Sequence, residues 1–228
     1  MNKTMRVLLA LLLLLSGCRH RLEVLNQSHY KVDNVSDLSQ KGLVVSLSSN
    51  HQTGEVMRWL GIIAKDMEEI GGYKTSVVDI ATDNTMLIND VHITIIFREI
   101  TGDGSWGNFF VCWPGFLIFT HAWKGCSYDV HWGIESAIDF SGGLSYTDNQ
   151  NFNLDVRYAS SGTAMANNWG WAIYPLFTVT AIMKGYQTLS FDKQMIGELH
   201  SVFDETAAHY LAKKLVLLIN RKMTEVTK

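Results

Sequence analysis

Histidines, cysteines and carboxylates supply the groups that could do chemistry in this 228-residue chain, and their spacing decides what that chemistry would be. His121, Cys126 and His131 follow the order H-x4-C-x4-H, which offers nitrogen and sulfur ligands, but a metal needs them to converge and the spacing matches no tight zinc pattern. Cys126 also has Cys112 as a competing partner, and His131 falls on the polar side of its strand, so no metal site is expected. Gly102 and Gly104 flank Asp103 in TGDGSWG, yet this motif follows a strand without opening a helix, as a phosphate cradle would require. It reads as a turn. Serine, histidine and aspartate all occur, but no G-x-S-x-G elbow presents a nucleophile. Asp66, Glu68, Glu69, Asp204 and Glu205 lie on expected helices, where acid–base work would need one of them desolvated in a cleft. Surface positions are expected for them. His200 and His209 are nearly half a turn out of alignment on the last helix and do not make a ligand pair. No catalytic residue and no cofactor is expected, and the chain does not read as an enzyme.

One reactive side chain remains, Cys18. Ahead of it, MNKTMRVLLALLLLLSG places Lys3 and Arg6 before an apolar run from Val7 to Leu15 and ends in small residues, the layout of a secretory signal over residues 1–17. That run is too short to span a bilayer. Leu15-Ser16-Gly17-Cys18 resembles the bacterial lipobox, which implies that a diacylglycerol is attached to Cys18 and that cleavage leaves this residue first. At about 0.8 kcal/mol per buried CH₂, the two or three chains of such a lipoprotein hold it essentially permanently. Loss of Lys3 and Arg6 lowers Lys+Arg from 19 to 17 against 22 Asp+Glu and moves the net charge from −3 to −5, which excludes nucleic acid as a partner. By resemblance to bacterial lipoprotein sorting, Arg19 in place of a retaining aspartate implies the outer membrane, on its periplasmic face.

Elements must position whatever acts. Residues 18–41 are polar with scattered aliphatics and read as the lipidated N-terminus and a tether. Residues 42–223 read as a single domain, since a chain of this length supports one sizeable core. GLVVSLSS (42–49) is a short buried strand. Asn50 or Thr53 can cap a helix in which Val56, Trp59, Leu60, Ile63, Met67 and Ile70 recur at helical spacing until Gly71-Gly72. YKTSVVDI and VHITIIFREI supply further strands, the second carrying His92, Thr94 and Arg98 on its polar face. Tyr128, Val130, Trp132, Ile134, Ile138 and Phe140 alternate with polar residues, SGGLSYTDNQN turns the chain, and Phe152, Leu154, Val156 and Tyr158 alternate again, so a long antiparallel hairpin is expected. From Phe191 to Met223, with Ser190 as a cap, Phe203, Ala207, Leu211, Leu215 and Leu218 form one stripe of a C-terminal helix. The fold expected is α+β: a mixed or antiparallel sheet with a helix from the N-terminal half and the C-terminal helix packed on it, a two-layer sandwich with an aromatic insertion.

In that insertion, FFVCWPGFLIFTHAW, eleven of fifteen residues are apolar or aromatic. A Cys112–Cys126 bridge would enclose it and add about 3 kcal/mol in an oxidising compartment; two separate buried thiols are the other arrangement. Trp106, Phe109, Phe110, Trp113, Phe116, Phe119 and Trp123 admit three placements: core, bilayer surface, where tryptophan rings settle, or a protein interface. An enzyme or ligand-binding protein with a pocket between the hairpin and the apolar stretch from Trp169 to Phe177 is the alternative class.

The order GLVVSLSSN, helix to Gly71, DVHITIIFREI, YDVHWGIESAIDF and a final helix with AAHYLAKKLVLLI resembles small periplasmic lipoprotein domains of the curli-secretion-channel, penicillin-binding-protein-activator and Pel-polysaccharide-export type. The resemblance implies a noncatalytic envelope protein, anchored at its N-terminus, that binds an envelope protein partner or associates with itself. The insertion departs from the curli pattern: broken by proline and glycine, it lacks the alternation that a barrel strand needs.

Overall fold

The computed structural model describes residues 21–31, 42–50, 53–78, 90–108, 126–159 and 189–226. The fold is α+β. Its strands are β1 (Arg21–Val24), β2 (Val44–Ser49), β3 (Lys74–Val77), β4 (Val91–Phe97), β5 (Thr101–Gly104), β6 (Cys126–Phe140) and β7 (Ser145–Ala159); its helices are α1 (Gly54–Gly71) and α2 (Lys193–Val226), with a 3₁₀ turn at Gln27–Tyr30. The hydrogen-bonded order is β1-β7-β6-β4-β2-β3, with β5 beside β6. The sheet is mixed, because β2 is parallel to both β3 and β4 while β4–β6 and β1–β7 are antiparallel.

Two compact units contain these elements: Met1–Leu25, Thr101–Val130 and Leu154–Val202 form one, and Asn26–Ile100, His131–Asn153 and Phe203–Lys228 the other. In the second, Val45 and Leu47 of β2, Val91, Ile93 and Ile95 of β4, and Ile134 and Ile138 of β6 are buried. Helix α1 starts where the Thr53 side chain accepts from the Val56 N–H, and it ends at Gly72, whose left-handed φ of 65° lets its N–H reach the Glu68 carbonyl. Its Trp59 meets Phe97 and Trp132 with ring centroids 5.2 Å apart. Phe152 extends this aromatic core to Phe203 at 5.7 Å and Tyr30 at 5.2 Å.

Three expectations need correction. The turn between β6 and β7 is only Ser141–Leu144, with Gly143 at φ 82°. The polar TDNQN run is strand, because its neighbour β6 is equally long and offers it a ladder. TGDGSWG begins as strand β5 rather than turn: the Gly102 carbonyl accepts from the Phe191 N–H and the Gly104 N–H donates to Leu189 O at 2.7 Å. A Cβ on Gly102 would lie 2.8 Å from that of Phe191, so glycine is what permits this approach. Finally, α2 is capped not by Ser190 but by Asp192, whose Oδ1 accepts from the Met195 N–H at 2.9 Å; Ser190 bridges to Asp103 instead.

Part of the stretch that reads as a tether is itself sheet. Leu22 and Val24 are buried, and Arg21 to Val24 pair with Ala159 to Val156. In the other unit the Tyr30 hydroxyl donates to the Asn153 carbonyl at 2.9 Å and accepts from the Asn153 N–H at 3.0 Å. A phenol thus takes the place of a ladder residue at the β7 backbone.

Candidate functional site

Of the residues singled out by type, Trp106 and Cys126 are described; Cys18, Phe109, Phe110, Cys112, Trp113, Phe116, Phe119 and Trp123 lie outside the described residues. Trp106 is 63% exposed, so it belongs to no core. Cys126 is fully buried at the start of β6, and its pairing with Cys112 falls outside the described residues. The two chain ends that bound the aromatic insertion are fastened together. Asn108 Nδ2 donates to Ser127 O at 2.7 Å, Asn108 Oδ1 accepts from the Ser127 N–H at 2.9 Å, and the Ser105 N–H donates to the same Ser127 carbonyl at 3.1 Å. A carboxamide presents one acceptor and one donor side by side, so it copies a backbone ladder pair. The result is a closed base from which residues 109–125 depart and to which they return.

A second constellation was not identified from the sequence. Alternation sends Ser46 and Ser48 of β2 and His92 and Thr94 of β4 to one sheet face, and parallel pairing sets Ser46 beside His92. Ser46 Oγ lies 2.7 Å from His92 Nδ1, Ser48 Oγ 3.1 Å from Nε2, and Thr94 Oγ1 3.3 Å from Nε2. Burial holds the imidazole below the usual histidine pKa of 6.5, while Asp139, its register partner on β6, acts in the opposite direction. A serine hydroxyl against histidine is the geometry of general-base activation. Here, however, Ser46 and Ser48 are 0% exposed and His92 8%, so the cluster satisfies buried polar groups rather than presenting a nucleophile. The S-L-S and H-I-T alternations were the signal that could have found it.

No family model and no curated protein sequence matches the chain. Among solved structures it is similar to a minor lipoprotein from Acinetobacter baumannii, at 12% identity over 79% of this chain and 92% of that one, with a TM-score of 0.29. A neuraminyllactose-binding hemagglutinin homolog from Helicobacter pylori is similar at 10% identity over 78% and 98% of the two chains, with a TM-score of 0.36. The PelC dodecamer from Paraburkholderia phytofirmans is similar at 10% identity over 66% and 89%, with a TM-score of 0.26. None of these likenesses carries a function to this chain.

Of the helix carboxylates, Glu68, Glu69 and Glu205 are exposed as expected, and two are not. Asp66 and Asp204 are buried, not on the surface. Asp66 accepts from His209, which also faces Glu205 at 3.7 Å, and Asp204 lies 3.9 Å from Arg58. Tyr73, whose pKa burial pushes up to about 12, donates to Asn220 at 2.8 Å. These contacts join α1 and the turn after it to α2, so Asp66 and Asp204 serve packing between helices. Among the described residues no group of three or more His, Cys, Asp and Glu could hold a metal ion.

Proposed function

We propose that the chain is a lipoprotein, held through Cys18 at the periplasmic face of the bacterial outer membrane, that acts by binding an envelope protein or a second copy of itself in envelope assembly or export. The observation that carries this reading is Leu15-Ser16-Gly17-Cys18 directly behind a basic and apolar signal-like segment. Binding rather than catalysis is supported by the polar groups themselves: the Ser–His pair is enclosed, and the buried carboxylates Asp66 and Asp204 are engaged between helices. The test is mass spectrometry of the mature N-terminal peptide, with fractionation of a Cys18→Ser variant. A diacylglycerol mass on Cys18, and release of the Ser variant from the membrane pellet, are expected. An unmodified Cys18 in protein recovered from the soluble periplasm would end the anchor reading. Binding is tested by photocrosslinking in cells, where capture of this chain or one recurrent envelope protein is expected.

A further inference from the structure

Four crossings of the chain gather at one end of the sheet. Arg21 opens β1 opposite Ala159, the last residue of β7. Because a four-residue turn joins β6 to β7 at the far end, Cys126 at the start of β6 lies at the same end as Ala159. Gly104 closes β5 beside β6, with Leu189 hydrogen-bonded to it. With neighbouring strands about 4.8 Å apart, the four backbones from Arg21 to Gly104 lie within about 15 Å. Residues 109–125 leave and return here, at Asn108 and Cys126, and residues 160–188, which include WGWAIYPLF, run from Ala159 to Leu189.

The leash to the proposed anchor is short. From Cys18 to Arg21 are three residues, which span at most about 11 Å. A tether over residues 18–41 would have had a mean reach of about 27 Å. Headgroup layers are about 5–8 Å deep, so a lipid on Cys18 leaves the Arg21 end of β1 no position except at the membrane surface. Arg19, His20 and Arg21 add basic charge beside the anchor, and each arginine near an anionic surface contributes about 1 kcal/mol.

We propose that the end of the sheet where Arg21, Ala159, Gly104 and Leu189 gather is a lipid-contact surface, with the exposed Trp106 ring in the headgroup layer. The proposal rests on the lipidated Cys18 reading and adds an orientation and a second contact to it. Tryptophan at 63% exposure next to the fastened base of an aromatic insertion is suited to that layer, where an amphipathic ring is favoured.

The test uses the full lipidated chain in vesicles of phosphatidylethanolamine and phosphatidylglycerol brominated near the top of the acyl chains. The fluorescence difference between wild type and Trp106→Phe isolates the Trp106 contribution. Quenching of that contribution relative to unbrominated vesicles is expected. A variant with about twelve Gly/Ser residues inserted between Arg19 and His20 keeps every folded residue and the lipid but lengthens the leash to a mean reach of about 20 Å; it should lose the quenching. Equal Trp106 brightness in both vesicles, with lipid confirmed on Cys18 by mass, would overturn the lipid contact and leave the anchor standing. An unquenched Trp106 that crosslinks to a protein in cells would overturn it too, and quenching unchanged by the insertion would overturn the short leash as what holds this end of the sheet at the membrane. An unmodified Cys18 overturns the anchor itself, whatever the fluorescence shows.

Discussion

His92 shows how one buried side chain sets a pH dependence. Its folded pKa lies below the value of 6.5 for the unfolded ring, because burial disfavours the charged form more than Asp139 favours it. The unfolded chain therefore takes up a proton first as the pH falls. Stability from the neutral ring is full above 6.5 and lost as the pH drops towards the folded pKa. Urea midpoints should decline from pH 7 to pH 5, and the decline should be smaller in His92→Gln; equal slopes in the two proteins would exclude this origin. Asn108 acts through geometry instead. Asn108→Ala removes both bonds to the Ser127 backbone, at a cost of about 1–2 kcal/mol. Faster hydrogen exchange at the Ser127 amide is the expected readout, and unchanged exchange would mean that Ser105 alone closes the base.

Among the elements, β1 tests how much the N-terminal stretch contributes. Leu22 and Val24 are buried, and losing two such side chains costs about 3–6 kcal/mol. Its loss also leaves β7 with an open edge, which invites pairing with another chain. A chain beginning at Gln27 should melt lower and scatter light at concentrations where one beginning at Arg21 stays dispersed; matching melting temperatures would show that β1 is incidental. Strand β1 was not legible in the sequence, because four residues of RLEV among polar neighbours carry too short a pattern. The long hairpin and α1 were legible, since Val130, Trp132 and Ile134, and Trp59, Ile63 and Met67, repeat their periods without interruption. Strand β5 was hidden by its own glycines, which signal turns in isolation but here allow the approach of Phe191. Of the candidate site as described, the bonded groups were not readable. Cys18 is an expectation drawn from the residues before it and lies outside the described residues, whereas the clamp of Asn108 on Ser127 and the Ser–His cluster depend on register between distant strands.

The molecule as a whole carries net charge −3, or −5 without its first seventeen residues, so it gains nothing from attraction to nucleic acid or to an anionic surface beyond the basic residues beside Cys18. Its connectivity also sets an order of assembly. The pairing of Arg21 with Ala159 joins residues 138 apart, and closing a loop of that length carries an entropic cost of about 4 kcal/mol. The β6–β7 hairpin needs a turn of only four residues. The hairpin should therefore form early, with the N-terminal strand arriving last. Leu22→Ala should speed unfolding while leaving the refolding rate nearly unchanged; a proportionate slowing of refolding would place β1 in the nucleus. A chain that completes its sheet with an N-terminal strand folds for an interval with one β7 edge uncovered, and it is during that interval that a holdase would have most to protect.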